Sequence, residues 1–492
     1  MLDELSEAPG AELEDEGVRS HTRGRRANLE LFIVGLAALI VSLSQSILIP
    51  VLGALPEQLH TTQSAVSWLL TSTLLVSAVS VPIMGRLGDM FGKRLLLLVA
   101  VGALAAGSLI DAMTSNVPLL IVGRGVQGLG AAAIPLGISL LATLMPKERV
   151  ASSVALISAM LGVGGALGLP LAGLVAEHAD FHVLFWISSM VGTVAFLGIL
   201  FLVPESHHRE GGQVDLVGSL LLAIGIAALL LPLEQSAEWG WVDARTLGLL
   251  AVALLAFVAL GVVELKVRQP LVDLRALRRR PIVLTNIASV LFGFALFASF
   301  IGTATYVEAP AATGYGFDAS LLMGGLTMLP SGIAMLLMSP VAARLINLRG
   351  GPQTLALGAA IVAIGWTFRI VATGDLVQVF IGGAIIGIGT GIGYAAIPSL
   401  INANTPSSEI AAANGLNTLF RSLGSSLASA IGASLLAAST VTVSGYPMAS
   451  LTAYRSLFAI CAVAALAAAV IVLFVPHGSK TARHQRISSQ YP

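Results

Sequence analysis

The sequence is poor in charge and contains a single cysteine. Only 11% of its 492 residues are charged, whereas 56% are hydrophobic and the mean hydropathy is +0.90. Cys461 alone excludes an internal disulfide and a cysteine-rich metal site, and we expect it to be a packing residue. The formal net charge of zero gives no sign of a nucleic-acid partner. So apolar a chain needs lipid as its solvent.

Long apolar runs fill most of the chain. A helix that crosses the hydrocarbon core needs about 20 largely apolar residues. Fourteen such runs predict fourteen transmembrane helices, at 30–54, 64–85, 95–115, 117–144, 151–176, 183–203, 216–234, 247–265, 283–309, 320–343, 354–373, 377–402, 411–438 and 453–475. The polar start is not typical of a cleavable signal peptide, because its basic stretch precedes an apolar segment too long for one.

The positions of lysine and arginine test this count independently. Cytoplasmic loops carry the excess of both residues. The two tails and the loops after even-numbered helices hold twenty-one of them, against three on the opposite side. We therefore expect a multi-pass protein of the cell membrane with both termini in the cytoplasm. The preference for arginine over lysine and the abundance of alanine are typical of bacteria with GC-rich genomes.

One stretch of sequence occurs twice, as GLGAAAIP at 128–135 in helix 4 and as GIGYAAIP at 391–398 in helix 12. Each copy precedes a short loop with a proline and a glutamate, and repeats of this kind are common in secondary transporters. The predicted all-α organisation is a cytoplasmic tail (1–29), a six-helix bundle (30–203), a linker with inserted helices 7 and 8 (204–282), a second six-helix bundle (283–475) and a cytoplasmic tail (476–492).

The loop after helix 2 contains an acid inside a basic turn. It reads Gly85-Arg-Leu-Gly-Asp89-Met-Phe-Gly92-Lys93-Arg94. Membrane topology explains the positive charges and a tight turn explains the glycines, but neither explains the aspartate. Its carboxylate can bind a helix N-terminus and the local cations. Gly85, Asp89, Gly92, Lys93 and Arg94 are therefore candidate residues of a latch that holds two bundles together in one state.

Helices 4 and 5 contain residues that are unusual inside a membrane. Arg124 lies in the run LIVGRGVQGLG at 120–130. An arginine at mid-span costs at least about 2.5 kcal/mol unless it is paired or faces water, so we expect Arg124 to face the interior. Helix 5 combines several glycines, including Gly165 and Gly173, with Pro170. Close helix packing and a kink are sufficient to explain these helix 5 residues.

These motifs together resemble those of the major facilitator superfamily. The loop after helix 2 is similar to its pattern G-x-L-x-D-R/K-x-G-R/K-R/K, apart from Met90. The Arg124 segment resembles L-x-x-x-R-x-x-Q-G, and helix 5 resembles the exporter pattern in part, with Leu169 and Leu174 where glycines are expected. The resemblance covers about residues 30–475, and weaker matches around helices 7 and 8 point to the fourteen-helix drug and proton antiporter branch.

The resemblance implies a mechanism as well as a fold. The loop would latch the two bundles on the cytoplasmic side in the outward-facing state, with Asp89 near the start of helix 13 at about Asn414. Arg124 would take part in proton coupling, and helix 5 would favour export. One departure is in helix 1, where Ser44 occupies the place of the aspartate in the branch's L-D-x-T motif. That aspartate's role cannot be transferred to Ser44.

Proton coupling and substrate binding each need residues inside the membrane. The candidates for coupling are Arg124, Asp111 in helix 3 and Glu308 in helix 9, because a buried carboxylate can change its charge between two states. Interfacial positions remain alternatives for Asp111 and Glu308, and Glu234 and Glu264 are expected at the interface. The candidate cavity residues, each of which could equally serve packing, are Gln45, Trp68, Asn286, Phe300, Tyr306, Asn417 and Arg421.

The sequence therefore predicts a monomeric secondary transporter that exports drugs or other small amphipathic molecules by alternating access in exchange for protons. No cofactor or metal is expected. An importer or exchanger of a metabolite on the same fold remains an alternative. A membrane enzyme is disfavoured, because no histidine lies centrally in a span and no nucleotide loop or metal spacing occurs. With arginines at 124 and 421, neutral or anionic substrates fit better than cations.

Overall fold

A computed structural model describes residues 9–206, 215–235, 239–267, 279–406, 409–443 and 445–475. The predicted number of spans is confirmed, since fourteen described helices are long and apolar enough to cross a membrane. They are α1 (Pro9–Ser46), α2 (Gln63–Phe91), α3 (Lys93–Ala112), α4 (Val117–Leu144), α5 (Lys147–His178), α6 (His182–Leu202), α7 (Leu216–Glu234), α8 (Ala244–Lys266), α9 (Arg280–Glu308), α10 (Leu321–Arg349), α11 (Gly351–Val371), α12 (Leu376–Ala403), α13 (Ile410–Ala438) and α14 (Leu451–Leu473).

Several local features differ from the predicted pattern. Helix α1 begins at Pro9, within the segment expected to be a polar tail, where glutamate, alanine and arginine favour helix continuation. A 3₁₀ turn (Leu129–Ala132) interrupts α4, and α10 consists of two pieces that meet at Thr327 and Met328. A small antiparallel hairpin of β1 (Thr440–Val443) and β2 (Tyr446–Ala449) precedes α14. Hydropathy along the sequence does not detect such features, because they are short or lie next to buried segments.

The helices of the two halves pair in the same way. In the first half α1 packs against α5 and α6, α3 against α4 and α6, and α2 against α4. In the second half the corresponding pairs are α9 with α13 and α14, α11 with α12 and α14, and α10 with α12. Cys461 on α14 is fully buried in the core of the second half, as expected for a packing residue.

Several helix pairs join the halves, and the inserted hairpin adds a further contact. Helix α5 packs along α10, and α2 packs along α13. Helix α7 pairs with α8 and also contacts both α2 and α13. We call the end of the helices near residues 85–94 the basic end, and the opposite end the distal end. The inserted hairpin therefore covers the line along which α2 and α13 meet.

Candidate functional site

Asp89 connects the two halves at the basic end. Its carboxylate accepts hydrogen bonds from the backbone amides of Ala411, at 3.3 Å, and Ala412, at 2.9 Å, in the first turn of α13. The Lys93 ammonium lies 3.5 Å from the same carboxylate, and both side chains are almost completely buried. The first amides of a helix have no intrahelical acceptor and carry partial positive charge. Asp89 thus satisfies the start of α13 from the other half, slightly before the predicted Asn414.

The glycines of this loop have steric roles. A Cβ atom on Gly85 would come within 2.6 Å of the Ala411 carbonyl oxygen, so only glycine lets α2 approach α13 this closely. Gly92 has a φ of +126°, which disfavours other residues. A Cβ atom there would also lie 2.5 Å from a carboxylate oxygen of Glu205. Gly85 and Gly92 are therefore needed for the close approach and the conformation of the backbone, not for a chemical role.

Glu205 is a residue that the sequence reasoning missed. It follows α6, and its carboxylate accepts hydrogen bonds from the amides of Arg94, at 3.0 Å, and Leu95, at 3.3 Å, at the start of α3. The Arg94 guanidinium donates to the carbonyl oxygens of Ile199 and Leu200 near the end of α6. The loop after α2 is therefore fixed from two directions, by Glu205 within its own half and by α13 across the interface.

A central cavity lies between the two halves. Its empty volume is about 950 Å³, including the space at its mouth, and side chains of α1, α2, α4, α5, α7, α9, α12 and α13 line it. Gln45, Phe300 and Arg421 of the predicted cavity residues are among them, and Phe297 joins Phe300. Most of the wall is apolar or carries hydroxyl groups, and Arg421 is the one charged residue among the lining residues of this cavity. Such a wall suits an amphipathic molecule.

Arg421 and Tyr394 lie in the wall that the central cavity shares with a smaller one. The centre of the Arg421 guanidinium lies 5.6 Å from the Tyr394 ring centroid, a cation–π distance. A smaller cavity, with an empty volume of about 290 Å³, extends towards the basic end and shares Ile134, Leu161, Tyr394 and Arg421 with the central one. These four residues are therefore common to the walls of both cavities. Asn417 lines the smaller cavity.

Arg124 lies inside the first half, away from the cavity wall. It is 1% exposed, and its guanidinium donates to the carbonyl oxygens of Leu69 and Ser44, both at 3.2 Å, and to the side-chain oxygen of Gln127 at 2.6 Å. Gln127 in turn donates to the Ser108 hydroxyl. The arginine thus ties α4 to α1 and α2. At Ser44 it binds a backbone carbonyl where the resemblance leads one to expect an aspartate.

This architecture agrees with comparisons to known proteins. The profile of the Major Facilitator Superfamily matches residues 34–429 and 331–489. The chain belongs to this superfamily. The transporter resembles the human organic anion transporter MFSD10 (TETRAN) in fold, with a TM-score of 0.63 and 14% sequence identity, over 91% of this chain and 99% of that one.

Bacterial relatives cover much of the transporter. It is 28% identical to the "Tetracenomycin C resistance and export protein" of Streptomyces glaucescens, over 82% of this chain and 74% of the relative. It is 26% identical to the "Multidrug resistance protein B homolog" of Mycobacterium tuberculosis, over 76% and 70%, respectively. It is also 26% identical to the "Multidrug transporter protein MdtP" of Bacillus subtilis, over 73% of this chain and slightly under two thirds (66%) of that relative.

Asp111 lies beside Arg124 in the transporter. Its side chain is fully buried, and neither carboxylate oxygen has a hydrogen-bond partner among the described residues. The oxygen Oδ1 lies against Gly123, where a Cβ atom would come within 2.0 Å. Arg124 exerts an electrostatic attraction on the carboxylate, although no described ion pair joins the two within 4 Å. Asp111 is therefore buried within the protein, one residue before the end of α3 at Ala112.

Two of the predicted site residues lie in a different place, at the distal end of the second half. Tyr306 is fully buried in a cluster of aromatic rings, and its hydroxyl donates to the Thr373 carbonyl oxygen at 2.6 Å. The buried Arg369 guanidinium lies 5.6 Å from the same ring. Glu308 is partly buried, with its carboxylate against Gly324 of α10. Neither Tyr306 nor Glu308 is among the lining residues of the central cavity.

The other predicted residues stabilise contacts between helices. The Asn417 amide of α13 donates to the Asn286 side chain of α9 at 2.7 Å, and Asn286 is buried. Trp68 is partly buried on α2 and does not line the central cavity. Amide pairs of this kind join helices where water is absent.

The glycines of the exporter motif bring α5 close to its neighbours. A Cβ atom on Gly165 would come within 2.8 Å of the Phe300 ring, beside the cavity. One on Gly173 would lie 2.6 Å from the Leu322 amide nitrogen, and Gly325 of α10 packs against the backbone at Pro170. Small residues here permit close contact between the two halves along α5 and α10.

Proposed function

We propose that the transporter exports small amphipathic molecules by alternating access, with its basic end and both termini in the cytoplasm of a bacterial cell. The observation that carries the proposal is the central cavity between the two halves, with the Asp89 contact to α13 joining the halves at its basic end. Rocking of the two six-helix bundles, at 30–203 and 283–475, would break this contact and open the cavity to the cytoplasm. Residues 85, 89, 92, 93 and 94 would then form the latch.

The lining of the cavity supports neutral or anionic substrates. Phe297, Phe300 and neighbouring aliphatic side chains can contact an apolar body, and the hydroxyl groups of Ser42, Ser46 and other lining residues can bind polar substituents. Arg421 supplies a positive charge without a carboxylate partner within 4 Å among the described residues. A cationic substrate would meet repulsion at this wall. The names of the relatives, which include drug and antibiotic export proteins, support the export of such compounds.

Protons are the proposed coupling ion, and Asp111 with Arg124 is the proposed coupling site of the first half. A carboxylate so deeply buried, without hydrogen bonds and within the field of a guanidinium, is expensive to maintain in a membrane protein. Protonation would weaken its attraction to Arg124, and Arg124 bridges α1, α2 and α4. Glu308 is a weaker candidate because its carboxylate lies apart from both the cavity and Arg124.

A test of export uses purified transporter in liposomes with an imposed pH gradient. The probes are two dyes with the same aromatic body, neutral phenylnaphthylamine and anionic anilinonaphthalene sulfonate. We expect the gradient to drive accumulation of a probe above its external concentration in vesicles whose basic end faces outward. Passive equilibration of both dyes, the same as in empty liposomes, would contradict export.

Asp89→Asn tests the latch in the same vesicles. The amide removes the charge that binds Lys93 and the amides of α13, so we expect turnover to fall by about tenfold or more, given that a hydrogen bond to a charged group contributes about 1.5–3 kcal/mol. Turnover is compared per folded transporter, because Lys93 loses its buried ionic partner. Asp375→Asn is the matched control, because Asp375 only caps α12 at the distal end and asparagine can replace it there. Wild-type turnover in Asp89→Asn would refute the latch.

A further inference from the structure

Glu234 occupies an unexpected position at the end of the first inserted helix. From the sequence it was expected at the membrane interface. In the structure its carboxyl group lies beside the Ser426 hydroxyl of α13. Ser426 lies twelve residues before the end of α13 at Ala438, which corresponds to about 18 Å along a helix. The Glu234 carboxyl group is therefore near the middle of α13 rather than at its end.

This proximity places Glu234 behind the wall of the central cavity, next to one of its lining residues. Ser426 lines the cavity and is 3% exposed. Leu230, one helical turn before Glu234, also lines it, so α7 contributes directly to the wall. The Ser426 hydroxyl thus lies between a carboxyl group of the inserted hairpin and the space proposed to hold the substrate. The other candidates, Asp111 and Glu308, have no such contact among the described residues.

The surroundings of Glu234 contain few charges. Its oxygen Oε1 is buried and has no hydrogen-bond partner among the described residues. Of the helices packed against α7, the described part of α13 contributes Arg421, five residues before Ser426. Helix α2 has its charged residues, Arg86 and Asp89, only at the basic end.

The second inserted helix, α8, adds no charge at this depth. It begins after Asp243 and with Arg245 at the distal end, and carries Glu264 and Lys266 at the basic end. An ionised carboxylate is energetically costly in so apolar a place. Its presence there indicates a role in transport. Between Arg421 and Ser426, the hydroxyl groups of Ser422 and Ser425 also line the cavity. A row of polar groups on α13 therefore leads from the guanidinium to the carboxyl group.

We propose that Glu234 is a proton-exchanging carboxylate through which the inserted hairpin couples proton movement to occupancy of the substrate cavity. This inference rests on the proposed function of proton-driven export. With the cavity open at the distal end, Glu234 takes up a proton through Ser426 after the substrate leaves. With the cavity open at the basic end, it releases that proton when a neutral substrate binds, since ionised Glu234 and Arg421 then balance each other across the loaded cavity.

The inference gives the inserted hairpin a role in transport. A spacer between two six-helix bundles would not need a buried carboxyl group beside a residue of the cavity wall. It also explains how the transporter functions without the usual acid in α1, where Ser44 stands. Glu234 places an acid on the opposite side of the cavity, carried by a helix that packs on both α2 and α13.

The test measures phenylnaphthylamine transport in liposomes under two conditions, with and without a pH gradient. In the wild type we expect the gradient to drive accumulation. In Glu234→Gln, which has almost the same shape, accumulation should fall to passive equilibration, while exchange of labelled for unlabelled probe at equal pH continues. Glu234→Asp should restore part of the accumulation. Asp243→Asn, a matched change at the cap of α8 on the same hairpin, should behave as the wild type.

A second measurement does not depend on vesicles. Binding of phenylnaphthylamine to purified wild-type transporter in weakly buffered solution should release protons, and Glu234→Gln should bind the probe without this release. Wild-type accumulation and wild-type proton release in Glu234→Gln would overturn the inference and leave the proposed export intact. If the wild type itself accumulates no probe, the proposed function is wrong and the inference falls with it.

Discussion

Arg124 and Arg421 both lie inside membrane spans, and their surroundings differ completely. Arg124 is 1% exposed and donates to two backbone carbonyl oxygens and one side-chain oxygen, with Asp111 nearby. Arg421 lies on the cavity wall with only the Tyr394 ring as a described side-chain partner. The repeat does not relate them, since Arg124 aligns with Gly387 of α12. An arginine that holds helices together and one that can bind a substrate are therefore distinguished by their neighbours, not by hydropathy.

The largest expected effect follows from removing Arg124. Arg124→Ala removes the hydrogen bonds to Leu69, Ser44 and Gln127 and isolates Asp111, and losing one partner of a buried charged network typically costs about 3–5 kcal/mol. We expect much less folded protein, a lower melting temperature, and loss of transport for the neutral and the anionic dye alike.

Exposed Arg245 provides the matched control for this change, because Arg245→Ala removes a guanidinium that lies at the distal end of α8. Both thermal unfolding and dye transport should stay at wild-type values there. A stable Arg124→Ala protein that discriminates between the two dyes would reverse the roles given to the two arginines.

A smaller and more selective effect is expected at Arg421. The folded yield of Arg421→Ala should match the wild type, because no described hydrogen bond of the fold uses its guanidinium. A hydrogen bond to a charged group contributes about 1.5–3 kcal/mol, so the dissociation constant of anilinonaphthalene sulfonate should rise about tenfold or more. That of phenylnaphthylamine should change little. Fluorescence titration of both dyes checks this, and Arg421→Lys, which keeps the charge, should fall between.

The smallest effects are expected at Tyr394. Its hydroxyl oxygen has no hydrogen-bond partner among the described residues, so Tyr394→Phe should bind both dyes like the wild type. Tyr394→Leu removes the ring that faces Arg421, and a cation–π contact contributes about 0.5–2 kcal/mol, so anion affinity should fall by a few-fold. As large a loss in Tyr394→Phe as in Tyr394→Leu would show that the hydroxyl group, not the ring, orients the guanidinium.

Much of this comparison could be anticipated from the sequence. Apolar runs and loop charges give the fourteen spans, since the cost of burying charge in lipid is large for every residue in a span. The same cost marks Arg124 and Arg421 as interior residues. The Asp89 loop could be recognised because membrane topology explains the basic residues of this turn but not its acidic residue. These signals are local, and each depends on residues adjacent in the chain.

Contacts between distant helices could not be anticipated in the same way. Tyr306 lies on the same helix as Phe300, yet it faces an aromatic cluster within the second half, and periodicity alone does not tell which neighbour a face of α9 meets. Glu205 is an ordinary loop acid until α3 begins beside it. Glu234 ends its own helix, so only the packing of α7 against the middle of α13 places it beside Ser426 of the cavity wall.

The central claim is that Arg421 on the cavity wall selects the substrate, whereas Arg124 supports the fold. The most direct measurement is the ratio of the affinities for the anionic sulfonate dye and the neutral amine dye, determined by fluorescence titration of wild-type and Arg421→Gln transporter. The account predicts that Arg421→Gln weakens binding of the anionic dye and keeps that of the neutral dye, so the ratio of anionic to neutral affinity falls. An unchanged ratio in a folded, active variant would contradict it.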